Sequence, residues 1–378
     1  MAGGVLLQHY WWGSIFMVNL PVVAAALILG YLLLPESRDH DIGRFDLVGG
    51  LLSVATIGVL VYTVIEAPVT GWGSRSTLLG LAVSVVLLGL LLIWEWRFPH
   101  PLIDLRLFAN PRFTAAATAI AMAFFALFGF VFMITMYFQI VRGYDTLQAG
   151  LSTLPYAAVM GGLSPLAILI ARRIGTKYTV AGGAFLMAAG LAASATLTAD
   201  SDYWLRIVPA MCLMAAGMAL STSPSTDSII GAIPDEKAGL GSAINDTTRE
   251  VGGALGIAVV GSVMSSFYAS GVRDSWAGLK IPSMLTEQAA DSIPAGMAIA
   301  ARLPGQGAQV ALARVREAFM DGFGAGAWCA VAASLAAMLV VLLTLPPRDL
   351  PRDGEPPGTR PRACVWTPRL APSRPGGA

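Results

Sequence analysis

Charged side chains are scarce in this sequence of 378 residues. Asp, Glu, Lys and Arg make up 12% of it, about half the share of an ordinary soluble domain, while 56% is hydrophobic. Too little polar surface remains to face water, so a soluble globular chain and a wholly disordered one are both excluded. Lys and Arg number 24 against 23 acids, which excludes a strongly basic nucleic-acid binder. Cysteine is nearly missing: Cys212 and Cys329 fall in apolar runs and Cys364 in the tail, with no pair at disulfide or metal-ligand spacing. The three histidines, His9, His40 and His100, lie outside the apolar runs, which leaves very little for a buried acid–base or zinc site. There is no Walker loop and no G-x-G-x-x-G after a strand, and His100 and Asp104 stand one residue short of an H-x-x-x-x-D spacing. No enzyme, metal or cofactor reading survives these absences.

Long uncharged stretches are what the sequence does have. A helix crossing a bilayer needs about 20 apolar residues, because every backbone N–H and C=O must find its partner inside the segment. Nine runs qualify: Ser14 to Leu34, Leu47 to Ile65, Thr77 to Trp94, Thr114 to Phe138, Ala149 to Ala171, Tyr178 to Ala199, Ile207 to Ser223, Val251 to Ser270 and Phe323 to Leu345. None contains Asp, Glu, Lys or Arg. One central charge opposes insertion by about 2.5–3.5 kcal/mol, so nine charge-free windows predict an all-α polytopic membrane protein whose first partner is the lipid bilayer.

Lys and Arg collect on alternate loops. One set carries Arg38, Arg44, Arg97, Arg106, Arg112, Arg172, Arg173, Lys177, Lys237 and Arg249, whereas the opposite short loops carry Arg75, Arg142 and Arg206. The richer side is expected in the cytoplasm, with the N-terminus outside and the C-terminus inside. The first run has no basic residue before it and is too long for a signal-peptide core, so it is expected to stay in the membrane.

One loop is long, Gly271 to Gly322, with Pro282, Pro294 and Pro304. Within it Val310 to Met320 places Leu312, Val315 and Phe319 on one helical face, which predicts an amphipathic helix lying at the outer headgroups or capping the bundle, or else a lid. The tail from Pro346, rich in Pro, Arg and Gly, is expected to be disordered. Pro155, Gly161, Gly162 and Pro165 interrupt the fifth run, and Pro209 and Pro224 bracket the seventh. Such breaks are either passive kinks or binding and gating points. Gly252 with Gly256, and Gly322 with Gly326, have the G-x-x-x-G spacing of close helix contacts.

Several segments resemble a known family. Trp12-Gly-Ser-Ile-Phe-Met-Val-Asn-Leu-Pro21 to Arg38 resembles the sixth helix of the fourteen-helix drug:proton antiporters of the major facilitator superfamily. His100 to Phe108 is similar to the connector into their second bundle, and Tyr137 to Tyr144 with Leu147 to Gly150 is similar to their next loop. Gly231 to Gly256 is the most specific match. The resemblance implies a last helix of a first bundle with its loop (1–46), two extra linker helices (47–96), a six-helix C-terminal bundle with its outer loop at 271–322 (97–345) and a tail (346–378). It further implies that helices one to five stand upstream, since Gly3-Gly4 resembles the end of the family's helix-five motif, and that this chain would be inactive alone. The competing reading is a non-transporting membrane subunit that docks a separate N-terminal half. Leu169 to Lys177 keeps Arg173, Gly175 and Lys177 of the family's loop motif but has Arg172 where an acid belongs, which leaves inner-leaflet anchoring and a tight turn at Gly175.

Proton-driven export of lipophilic molecules, the activity the resemblance implies, needs no cofactor beyond the gradient, and it commonly uses intramembrane carboxylates. None lies mid-span. Glu66 and Glu95 end spans at the interfaces and are expected to be solvated there; Asp227, beside Pro224, is either a gating acid or a solvated one. Asn245 and Arg249 share a helical face, as do Asp246 and Glu250, so this run either extends the eighth helix and latches onto Arg172 and Arg173 or is a plain solvated helix start. For substrate, Tyr137, Gln139, Tyr156 and Met160 are the expected contacts, since a polar tip in hydrocarbon prefers a cavity and aromatic and thioether groups suit lipophilic ligands. The aromatics Phe124, Phe125, Phe128, Phe130 and Phe132 accompany them on the fourth span.

Overall fold

The computed structural model describes residues 6, 10–33, 46–99, 105–233, 238–279 and 281–345. Arg38, Arg44, His9, His40, His100, Asp104, Lys237 and the tail from Pro346 lie outside the described residues. Within them every regular element is helical, and nine helices are long and apolar enough to cross a membrane, in the order of the nine charge-free runs. The spanning helices are α1 (Ser14–Leu33), α2 (Leu47–Thr70), α3 (Arg75–Arg97), α4 (Pro111–Met136), α5 (Leu154–Ile174), α6 (Thr176–Ala195), α7 (Val208–Gly231), α8 (Ala238–Trp276) and α11 (Gln306–Thr344). Two short helices, α9 (Ser283–Asp291) and α10 (Ile293–Ala301), fill the long loop.

Local chemistry sets the ends of these helices. Asn110 accepts from the Arg112 N–H at 3.0 Å and Pro111 opens α4, an arrangement that uses the helix's orphan donors. Ser74 caps α3 and Asp46 caps α2 in the same way. Between α5 and α6 the chain turns at Gly175 with φ +95°, a conformation that needs glycine and that matches the expected tight turn. Past Met136, α4 widens into a π turn over Tyr137–Val141.

Helices α4, α5, α6, α7, α8 and α11 form one bundle, with α4 against α7, α8 and α11, α6 against α7 and α11, and α5 on α7. Glycines bring the backbones together. A Cβ at Gly252 or Gly256 would strike the carbonyls of Ala121 and Phe125 on α4, and one at Gly322 would strike that of Met264, so both expected G-x-x-x-G pairs lie at helix contacts. Gly183, Gly190 and Gly217 do the same between α6 and α7, a contact the sequence reading did not single out. Helices α2 and α3 form a hairpin whose first arm rests on α8, while the apolar window of α1 has nothing buried.

Two expectations need correction. Helix α7 runs through Pro224 to Gly231 instead of ending at Ser223, because inside a bundle neighbouring helices and Ser or Thr side chains can satisfy a carbonyl that proline frees. The stretch Val310 to Met320 is no separate surface helix but belongs to the first turns of α11, since no proline interrupts 306–345; its expected face is nevertheless the buried one, with Val315 and Phe319 fully enclosed. At 39 residues each, α8 and α11 reach about 58 Å, well beyond a hydrocarbon core of about 30 Å. Their far ends join α9 and α10 in a helical cap. There the buried Tyr268 hydroxyl donates to the Ala289 carbonyl at 2.9 Å, and Arg273 grips the Glu287 carboxylate through Nη2 at 2.8 Å and Nε at 3.0 Å. That guanidinium holds the Glu287 carboxyl below the usual Glu range.

Candidate functional site

At the arginine-rich end, three helices of the bundle meet around one cation. The polar run Asn245–Glu250 is helical and forms the first turns of α8, so Asn245 and Arg249 do share a face. Arg249 donates through Nη2 to the Thr226 hydroxyl on α7 at 3.1 Å, and Thr226 donates to Oδ1 of the buried Asn245 at 3.3 Å. The guanidinium carbon stands 5.2 Å from the centre of the Phe124 ring on α4, a cation–π contact. Its ion-pair partner Asp246, at 3.9 Å, is 66% exposed. Arg249 thus ties α4, α7 and α8 together mainly through a ring and a hydroxyl.

The latch partner expected at Arg172 and Arg173 is replaced. Both arginines are exposed at the end of α5, and the described residues pair neither with the 245–250 run; Thr226 and Phe124 take that place because they lie on the helices packed against α8. Asp227, one residue beyond Thr226, is exposed at the same end. Sequence reasoning missed Thr226, although Ser221-Thr-Ser-Pro-Ser-Thr-Asp-Ser228, a stretch inside a spanning helix that is polar at every position but Pro224, is the signal that marks it.

The proposed substrate contacts separate in space. Tyr137 is fully buried: its hydroxyl donates to the Thr198 carbonyl at 2.9 Å and its ring carries the Arg142 guanidinium at 5.8 Å. That environment makes it a packing residue of the bundle, not a cavity wall. Gln139, on the π turn, is exposed. Tyr156 and Met160 on α5 are half-buried, and the Tyr156 hydroxyl is enclosed without a hydrogen-bond partner among the described residues. On either side of Tyr156, Pro155 and Ala158 border a cavity of about 650 Å³ shared with Tyr144, Gln148, Tyr203 and Trp204. A larger crevice of about 1350 Å³ opens between α6, α8 and α11 at the capped end, with Asp274, Arg316, Asp321, Phe267 and Trp328 among its walls.

The interfacial carboxylates also differ from expectation. Glu66 is half-exposed, but Glu95 is only 5% exposed, because α3 folds back on α2 and brings it beside Gly49 and the equally buried Asp46. Asp46 accepts from the Gly49 N–H at 2.8 Å and from the Trp94 indole at 2.9 Å, which closes the hairpin at its arginine-rich end. Among the described residues no group of His, Cys, Asp and Glu is arranged to hold a metal.

Comparison with known proteins agrees with this architecture. The family model of the Major Facilitator Superfamily matches residues 1–257. Multidrug resistance protein Stp of Mycobacterium tuberculosis is 34% identical over 268 residues, 71% of this chain and 50% of Stp. Multidrug efflux pump LfrA of Mycolicibacterium smegmatis is 34% identical over 342 residues, 90% of this chain and 67% of LfrA. The tetracenomycin C resistance and export protein of Streptomyces glaucescens is 31% identical over 347 residues, 90% of this chain and 64% of the relative. The match thus spans from half to two-thirds of the length of these relatives. With its charge-free spans, its glycine-packed six-helix bundle and these relatives, the chain is a multi-pass membrane protein that belongs to the Major Facilitator Superfamily, a family of transporters and not of enzymes.

Proposed function

We propose that this chain takes part in export of lipophilic small molecules across a bacterial inner membrane, driven by the proton gradient, as the second bundle of an alternating-access transporter. In this reading the arginine-rich end is cytoplasmic, the N-terminus is outside and the C-terminus is inside. Residues 97–345 form the moving bundle, 47–96 the extra pair and 1–46 the last helix of a first bundle, while 346–378 is a cytoplasmic tail. The observation that carries it is the Arg249 junction, where a cation held by a ring and a hydroxyl joins α4, α7 and α8 at the inner mouth. A grip of that kind is readily exchanged for a carboxylate, so it suits a gate that opens and closes. Asp227, exposed beside Thr226, is the acid placed to compete for it, and Arg173 anchors the inner end of α5. Gln139, Tyr156 and Met160 contact the substrate, with Tyr137 setting the π turn that presents Gln139.

The relatives' greater length supports a need for a first bundle, so the chain alone is expected not to transport. Proteoliposomes holding only this chain should show no pH-gradient-driven movement of a fluorescent lipophilic cation. Supplying helices one to five of a full-length relative in the same membrane should restore it, and Arg249→Ala should then reduce it at least tenfold. Transport by the chain alone would refute the two-bundle requirement, and unchanged transport in Arg249→Ala would refute the gate.

A further inference from the structure

We infer that the α2–α3 hairpin is fastened to the bundle through a backbone carbonyl that Pro68 leaves open, and that it travels with α8 as one body. Pro68 lies in the last turns of α2 and has no N–H, so the carbonyl four residues earlier, that of Val64, loses its intrahelical donor. In hydrocarbon an open carbonyl must find a partner elsewhere. It finds Ser262 of α8: the buried serine hydroxyl donates to Val64 O at 2.7 Å, between residues 198 positions apart. One helical turn further on, Ser266 accepts from the Trp72 indole at 3.1 Å and donates its own proton to the Ser262 carbonyl at 2.9 Å. Val64 and Ala67, both buried and one turn apart, close the apolar part of the same contact.

The second arm follows the first. At the turn, Thr70 and Thr77 share a hydrogen bond of 3.1 Å and Thr77 donates to the Gly71 carbonyl at 2.9 Å; mid-hairpin, Gly80 admits the Thr63 side chain; at the far end Trp94 holds Asp46. A hairpin closed along its length and docked through polar bonds on α8 shifts only when α8 shifts. The mechanical consequence rests on the alternating-access reading, whereas the docking does not.

A double-mutant cycle on the full chain tests the docking without reading transport. Ser262→Ala should lower the thermal midpoint in detergent by several degrees. Pro68→Ala restores an N–H to Val64 O, so in that background the loss caused by Ser262→Ala should fall to less than half. Equal losses in both backgrounds, or no loss in the wild-type background, would overturn the inference. If Pro68→Ala does not fold, spin labels at the exposed Tyr62 and Phe267 give the second measurement. A narrow distance distribution should broaden in Ser262→Ala, and a distribution equally narrow in both proteins would overturn it as well.

Discussion

Helices α3 and α6 invert the usual relation between apolarity and burial. By side chain α3 is the most apolar of the spanning helices and α6 the least, yet 56% of the apolar window of α6 is buried in protein and 11% of that of α3. In water the opposite order is expected, because apolar surface seeks the core. In a bilayer, lipid tails solvate leucine as well as protein does, so helix association depends on how closely backbones can approach. Leucine therefore fills α3, which faces outward, and Gly and Ala fill α6, which has Gly217 of α7 packed against Gly183 and Met187.

The sharpest way to break this comparison is to place the same large side chain in each region. Gly217→Leu would drive a Cβ into the backbone at Met187 and Gly183, where neither atom can yield, and should destabilise by about 3 kcal/mol or more, seen as a lost monodisperse peak or a midpoint many degrees lower. Gly89→Leu on α3 meets nothing within 4 Å and should stay within about 0.5 kcal/mol of the parent. Comparable losses at both sites would mean that α3 is covered by a partner.

The polar ties at the two ends of the bundle sharpen it further. At the capped end, Tyr268→Phe leaves the Ala289 carbonyl without its buried donor and should lower stability by about 1–3 kcal/mol, with faster amide exchange confined to α9 and α10. At the arginine-rich end, Arg249→Ala should lower it by about 1 kcal/mol, the worth of a partly exposed cation–π contact and its hydrogen bond, whereas Arg173→Ala at the exposed end of α5 should change nothing measurable. A larger loss at Arg173 than at Arg249 would move the structural junction to the α5–α6 turn.

The spans, their order and both G-x-x-x-G contacts were legible in the sequence, because absent charge and small-residue spacing are local properties. The shared face of Asn245 and Arg249 was legible for the same reason: four residues make one turn. Their partners were not, since Thr226 lies 23 positions from Arg249 and only tertiary packing brings it near. Tyr137 shows the deeper obstacle. A phenol in an apolar run needs an acceptor, and nothing in the run tells whether a cavity or the carbonyl of Thr198, 61 positions on, provides it. Glu95 failed likewise, because a carboxylate at a span's end is solvated only if no second helix folds over it.

The smallest expected effect lies in the cap, where an exposed ion pair stands beside the buried Tyr268 tie. Arg273 holds the Glu287 carboxyl below its ordinary value of about 4.3. A carboxyl depressed in the folded state adds stability that is present above the ordinary value and is lost as pH falls through the lowered one. Amide exchange in α9 should therefore rise slightly as the pH falls below the ordinary Glu value, relative to a Glu287→Gln protein, which lacks the pH-dependent part, and the difference should shrink in high salt because both side chains are exposed. Identical pH profiles for the two proteins would show that α9 is held by Tyr268 and apolar packing alone, which would make the cap, like α6, a region where close contact and not charge does the holding.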